Sequence, residues 1–180
     1  KRLNRKKILI WCEQGIGDTI NWSSCLPYIS SKVEHCIFEC QDKLVPLFKR
    51  SFKNIEVKSQ DRSKDSERKD FDFHLPMGSL YKYFIKEISS NKKLSSYLIP
   101  DTKRVNFWKK RLNSLGNGYY VGISWKSSNM SRKRIQNYAK LSEFHPLFKI
   151  PNVIFINLQN KDFSEDLSKI ENEFGILIHN

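Results

Sequence analysis

Short apolar runs recur along this chain, each followed by a turn and a helix-compatible stretch, and this alternation constrains the fold more than any other feature. "KKILIWC" reads as a buried strand, and the stretch from Asp18 to about Lys32 sets Ile20, Trp22, Cys25, Leu26 and Ile29 at a roughly 3.6-residue period. Pro27 lies inside that stretch, where it lacks an N–H and crowds the preceding turn, so a kink or an end is expected there. "HCIFEC" is the next strand, "DKLVPLFKRSF" a short helix and "NIEVK" a third strand. Strand, helix, strand, helix, strand predicts a parallel α/β layer, because parallel neighbours need a crossover long enough to hold a helix.

Residues 58–70, "KSQDRSKDSERKD", contain no large apolar group and mix both charge signs, which predicts a solvated loop. "FDFHLPMGSL" resumes with a strand and a turn, and Tyr81 to Ile88 reads as helical. "YLIPD" then leads into "TKRVNFWKKRLNSLG", a helix with Val105, Trp108 and Leu112 on one face, stopped by Gly116 and Gly118. After it the pattern restarts: "YYVGISW" is a strand, "KSSNMSRKRIQN" a basic loop, "YAKLSEFHPLF" helical and "NVIFINLQ" a second apolar strand. "SEDLSKIENEF" is a helix, and "GILIHN" begins a third strand. The reading is a Rossmann-like domain over residues 1–100, a linker helix and turn over 101–118, and the incomplete beginning of a second Rossmann-like domain over 119–180.

A hydrophobic content of 39%, 13% aromatic, is enough to bury a core. The net charge of +13 and pI near 9.6 predict an acidic partner, whether nucleic acid, an anionic membrane surface or a phosphorylated small molecule; the plain alternative is a solvated, lysine-rich surface. Cys12, Cys25, Cys36 and Cys40 all lie in the first quarter and form no C-x-x-C pair, so reduced, mostly buried thiols are expected rather than a zinc site. His35, His74, His145 and His179 are dispersed without ligand spacing, which again predicts no metal. No apolar stretch approaches the roughly 20 residues that span a bilayer. With no signal peptide in view, the expected location is the cytoplasm or the inner membrane face.

Open parallel sheets leave a crevice at the carboxyl ends of their strands, where helix N-termini also point unpaired N–H groups. Two loops qualify, "EQGIGDT" and "KSSNMSRKR". Gly15 and Gly17 suit a tight turn with backbone close to a ligand, but the dinucleotide fingerprint G-x-G-x-x-G fails at Ile20. Asp18 would begin the helix, and a capping carboxylate there contributes about 0.5–2 kcal/mol; the alternative is a catalytic acid. In the second loop Lys126, Ser127, Ser128, Arg132 and Arg134 either contact phosphate or stand in solvent. His74 either lines a cleft or is a partly buried structural histidine, Trp22 and Trp125 read as packing, and Tyr138 anchors the loop's return.

"ILIWCEQGIGDTINWSSCLPYI", with Gly15-Ile16-Gly17-Asp18 and Leu26-Pro27, resembles the opening of heptosyltransferase-type glycosyltransferases (glycosyltransferase family 9). It is more similar still to the glycosyltransferase region joined to tetratricopeptide repeats in bacterial proteins. "LVPLFKRSF", "YLIPD", "VNFWKKRL", "VGISWKSSNMSRKR" and "IPNVIFINLQ" follow in the same order, so the resemblance covers nearly the whole chain apart from residues 58–70. It implies a GT-B architecture, an acceptor on the first domain and a nucleotide-sugar donor on the second. Asp18 is then the implied general base of an inverting, metal-independent transfer to a saccharide, lipid-linked or protein acceptor, with no cofactor. Gly15, Gly17, Thr19 and His74 lie on the acceptor side, and Lys126, Ser127, Ser128, Arg132 and Arg134 near the donor phosphates. A carboxylate at a helix N-terminus stays ionised and ready to take the acceptor's proton.

Two departures stand out: Cys12 replaces a glycine frequent in similar sequences, and the part of the family's second domain that holds base and sugar would follow "GILIHN". An isolated 180-residue chain is therefore expected to have little or no transfer activity. The competing function is a non-catalytic basic module that binds nucleic acid or an anionic glycan, recognisable by steep salt dependence. The lack of an RNA-recognition aromatic motif argues against nucleic acid.

Overall fold

The structure is a computed structural model that describes residues 3–61, 68–90, 96–127, 135–136, 138–160 and 162–180. It divides into two compact units, Lys1–Arg104 and Val105–Asn180. Both are mixed α/β with wholly parallel sheets, compatible with a Rossmann-like arrangement.

In unit 1, β1 (Lys7–Trp11), β2 (His35–Cys40), β3 (Glu56–Ser59) and β4 (Phe73–Pro76) form a sheet of order β3-β2-β1-β4. Ile10 lies in register with Phe38 on one side and Leu75 on the other. β1 and β2 are the central strands and are buried over most of their length, which is why they read as apolar runs without alternation. Ile8, Ile10, Cys36 and Phe38 face the helices; Phe38 meets Phe48 of α3 (Val45–Ser51) with ring centroids 5.2 Å apart, and Leu80 and Phe84 of α4 (Leu80–Ser90) join the same core.

The helix-compatible stretch from Asp18 to Lys32, in which Pro27 predicts a kink or an end, is two helices. α1 (Ile16–Trp22) gives way to a 3-10 turn, Ser23–Cys25, and α2 (Leu26–Ser30) follows. Pro27 sits in the first turn of α2, where its missing N–H has no intrahelical partner to lose, so it starts a helix instead of kinking or ending one. The loop expected over 58–70 is also shorter: β3 runs to Ser59, and Arg68 returns to the sheet. Its guanidinium donates to Glu39 at 2.5 Å and to Asp70 at 2.9 Å, and it is only 14% exposed. The cause is Glu39, a β2 carboxylate 6% exposed, which has left water and needs a paired cation.

All four cysteines are buried and none is joined in a disulfide. Burial pushes the Cys12 thiol up to about 11 and those of Cys36 and Cys40 to about 12, so thiolate chemistry is suppressed.

α5 (Thr102–Asn113) spans the boundary between the units. In unit 2, β5 (Tyr119–Ile123), β6 (Val153–Asn157) and β7 (Ile178–His179) follow in the order β5-β6-β7. A 3-10 turn, Leu141–Phe144, leads into α6 (His145–Phe148), and α7 (Ser164–Phe174) precedes β7. α7 stops at Gly175, whose φ of 67° is the left-handed conformation that glycine adopts without a Cβ clash. Ile123, Trp125, Leu141, Phe148, Phe155, Ile170 and Ile178 form this unit's core. No helix among the described residues is long and apolar enough to cross a membrane.

Candidate active site

The carboxyl edge of the unit 1 sheet is built around the turn between β1 and α1. Gly15 is the N-cap of α1, so Asp18 stands at its third position and does not begin the helix as expected. Its Oδ2 accepts the Gly15 N–H at 3.2 Å, closing the turn from inside the helix, and the residue stays exposed. The capping and catalytic readings therefore coexist geometrically: one hydrogen bond orients the carboxylate and solvent still reaches it. Neither Gly15 nor Gly17 adopts a left-handed backbone, and a Cβ on Gly17 would meet nothing within 4 Å, so the tight-turn reason given for this pair falls away. What Gly17 leaves is open space beside Asp18.

Thr19 is turned into the core, and its hydroxyl donates to the Gly15 carbonyl at 3.1 Å. A buried hydroxyl with this bond serves the turn and does not face an acceptor. His74 is the second residue of β4, in register with Leu9, and is exposed, so it is not the partly buried histidine of the plainer reading. Trp11 Nε1 donates to its Nδ1 at 3.3 Å. Trp22 is half-buried, packed on the unit 1 core.

The residue that sequence reasoning missed is Glu13. Its two carboxylate oxygens accept the backbone N–H groups of Met77 and Gly78 at 3.1 and 3.0 Å, tying the turn after β1 to the turn after β4. Gly78 is required by that approach: a Cβ there would stand 2.7 Å from Glu13 Oε1 and 3.0 Å from the Trp22 ring. These N–H groups start the 3-10 turn Met77–Ser79 and the helix after it, the place where an anion would otherwise settle. An acid immediately before a Gln-Gly turn was the available signal.

At the carboxyl edge of unit 2, Trp125 and Lys126 follow β5 and converge on Asp166 in the first turn of α7. Trp125 Nε1 donates to Asp166 Oδ2 at 3.1 Å and Lys126 Nζ to the same oxygen at 2.5 Å; the ammonium also lies 5.4 Å from the Phe163 ring centre. Partial burial pushes the Asp166 carboxyl up, but the Lys126 and Trp125 hydrogen bonds and the Lys126 charge outweigh it and hold the group below its ordinary range. Lys126 is thus neutralised within the chain, and an incoming phosphate must compete with Asp166 for it. Trp125 is packing, as read. On the same edge, more exposed, the Ser124 hydroxyl donates to Gln159 Oε1 at 3.0 Å and the Asn157 amide to Asn180 Oδ1 at 2.6 Å. Asp166, Gln159 and Asn157 had no sequence signal beyond an acid in a first helical turn and amides after an apolar run. Ser127 is described and holds an interaction of its own; Ser128, Arg132 and Arg134 lie outside the described residues. Among the described residues, no three His, Cys, Asp or Glu side chains gather in a way that would hold a metal ion.

Protein FlbA of Caulobacter vibrioides is 28% identical to this chain over 190 aligned positions, which cover 98% of the chain and 32% of FlbA. The chain therefore spans about a third of the length of the curated relative it matches. No protein-family model matches it, and no solved structure does.

Proposed function

We propose that this chain is part of a heptosyltransferase-type glycosyltransferase of GT-B design, cytoplasmic or peripheral at the inner membrane face. It transfers a sugar from a nucleotide-sugar donor to a hydroxyl of a saccharide, lipid-linked or protein acceptor. The observation that carries the reading is Asp18: an exposed carboxylate, oriented by the Gly15 N–H, at the carboxyl edge of a parallel sheet. In the step this supports, the acceptor oxygen attacks the anomeric carbon and its proton passes to the Asp18 carboxylate. The bond from that carbon to the diphosphate breaks, and the electron pair leaves with the diphosphate. Lys126 and the N-terminal turn of α7 meet the charge that grows on the leaving group, Lys126 exchanging its Asp166 partner for phosphate. Four buried thiols with no disulfide among them suit a reducing compartment. The ordered succession of motifs noted in the sequence supports the family, and the tetratricopeptide region belongs to the same proposal.

Calorimetric titration of this chain, and of a longer protein containing it, with a panel of nucleoside diphosphates at two salt concentrations tests the donor side. Saturable binding of one nucleotide, weakened by Lys126→Ala, is the expected result. Failure of every nucleotide to bind the longer protein, together with steeply salt-dependent polyanion binding, would instead favour a basic binding module.

A further inference from the structure

α5 reads "TKRVNFWKKRLN", with five cationic side chains, no acid and no buried residue. Its N-terminus is well formed, the Asp101 carboxylate accepting the Arg104 N–H at 3.0 Å. Advancing by about 100° per residue puts Phe107, Arg111, Arg104 and Trp108 on one arc, with Lys103 and Lys110 at its flank. Val105 and Leu112 follow next to Trp108 around the helix and are half-buried, so the arc leads from an inward side at Trp108 out to Phe107. The outward arc carries large apolar surface: Phe107 is 57% exposed and Trp108 46%. The two rings meet edge-on at 5.4 Å, and the Arg111 guanidinium lies 5.6 Å from the Trp108 centroid.

We infer that α5 is a docking helix for an anionic lipid surface, laying Phe107 and Trp108 at headgroup level while its arginines and lysines reach lipid phosphates. Exposed rings alone suit any apolar partner, and cations alone suit any polyanion. Interleaved on one arc they match a bilayer interface, where aromatic rings sit between hydrocarbon and water and long basic side chains extend past them to phosphate. Charge selects the occupant: a helix without acids, in a chain of net charge +13, is drawn to an anionic leaflet. At the centre of the arc Arg104 and Arg111 stand between the two rings, so the cations reach phosphate from the depth at which the rings lie. The inference rests on α5 alone and not on the transferase reading.

The test is co-sedimentation of the 180-residue chain with phosphatidylcholine vesicles, with and without phosphatidylglycerol, accompanied by tryptophan fluorescence. Of the four tryptophans Trp108 is the exposed one, so vesicle binding should shift emission to the blue and admit quenching by brominated lipid. The Trp108→Phe variant should bind yet lose that signal. Paired Phe107→Ser and Trp108→Ser changes should weaken binding about tenfold or more, as should paired Lys103→Gln and Lys110→Gln, the second pair also flattening the salt dependence. Far-UV circular dichroism unchanged in each variant keeps the loss from being one of folding. The inference is overturned if phosphatidylglycerol vesicles do not bind, if both pairs leave binding untouched, or if a structured RNA displaces the vesicles from this helix.

Discussion

The carboxyl edge of unit 1 presents a carboxylate, whereas that of unit 2 presents an ammonium already paired with a carboxylate. In unit 1 a second carboxylate, Glu13, fills the backbone N–H pair at Met77 and Gly78, while Asp18 stays exposed with one N–H orienting it. In unit 2 the Lys126 ammonium rests on Asp166, which Trp125 also holds. The difference is one of readiness. An exposed carboxylate with spare acceptor capacity takes a proton without rearrangement, whereas a paired ammonium is kept in place, and kept from other anions, until a stronger one arrives.

The comparison can be broken most forcefully at Arg68. Arg68→Ala leaves Glu39 buried without its cation and should destabilise unit 1 by about 3–5 kcal/mol. Urea denaturation followed by amide exchange should show unit 1 opening first, with the β5–β6 ladder of unit 2 retained. Next comes Gly78→Ala, which forces a Cβ against Glu13 and Trp22 and should cost about 1–3 kcal/mol of thermal stability. Asp166→Asn removes the charge from the Lys126 pair and should cost about 1 kcal/mol at neutral pH. Because the folded carboxyl is held below its ordinary value, its contribution is complete above the unfolded value and is lost as pH falls through the folded one. The variant should therefore show a shallower loss of Tm on acidification than the parent. The smallest effect is expected at Gly17, where an added methyl meets nothing within 4 Å: Gly17→Ala should stabilise by about 0.5–1 kcal/mol, read as a rise in Tm.

The order of elements was legible because burial writes itself into composition. β1, β2 and β6 are inner strands, and their unbroken apolar runs named them. Pro27 was legible as an interruption but not as a helix start, since one pattern of apolar spacing continues through both α1 and α2. The charged stretch hid Arg68 because its partner Glu39 lies 29 positions away, and only the folded sheet turns that glutamate away from water. His74 reads as a cleft-lining or partly buried histidine, yet register sets it opposite Leu9 and leaves it exposed. Asp18 and Lys126 were legible as charged residues in turns after strands. Glu13 and Asp166 were not, because their roles depend on donors 64 and 40 positions distant.

The most direct measurement is sugar transfer by a longer protein containing this chain, with Asp18 against Asp18→Asn, alongside the thermal stability of both. The asparagine side chain can still accept the Gly15 N–H but cannot take up a proton. We predict a loss of kcat of about a hundredfold or more with Tm nearly unchanged. Transfer that proceeds at the parental rate in the Asp18→Asn protein would contradict the assignment of Asp18 as the base.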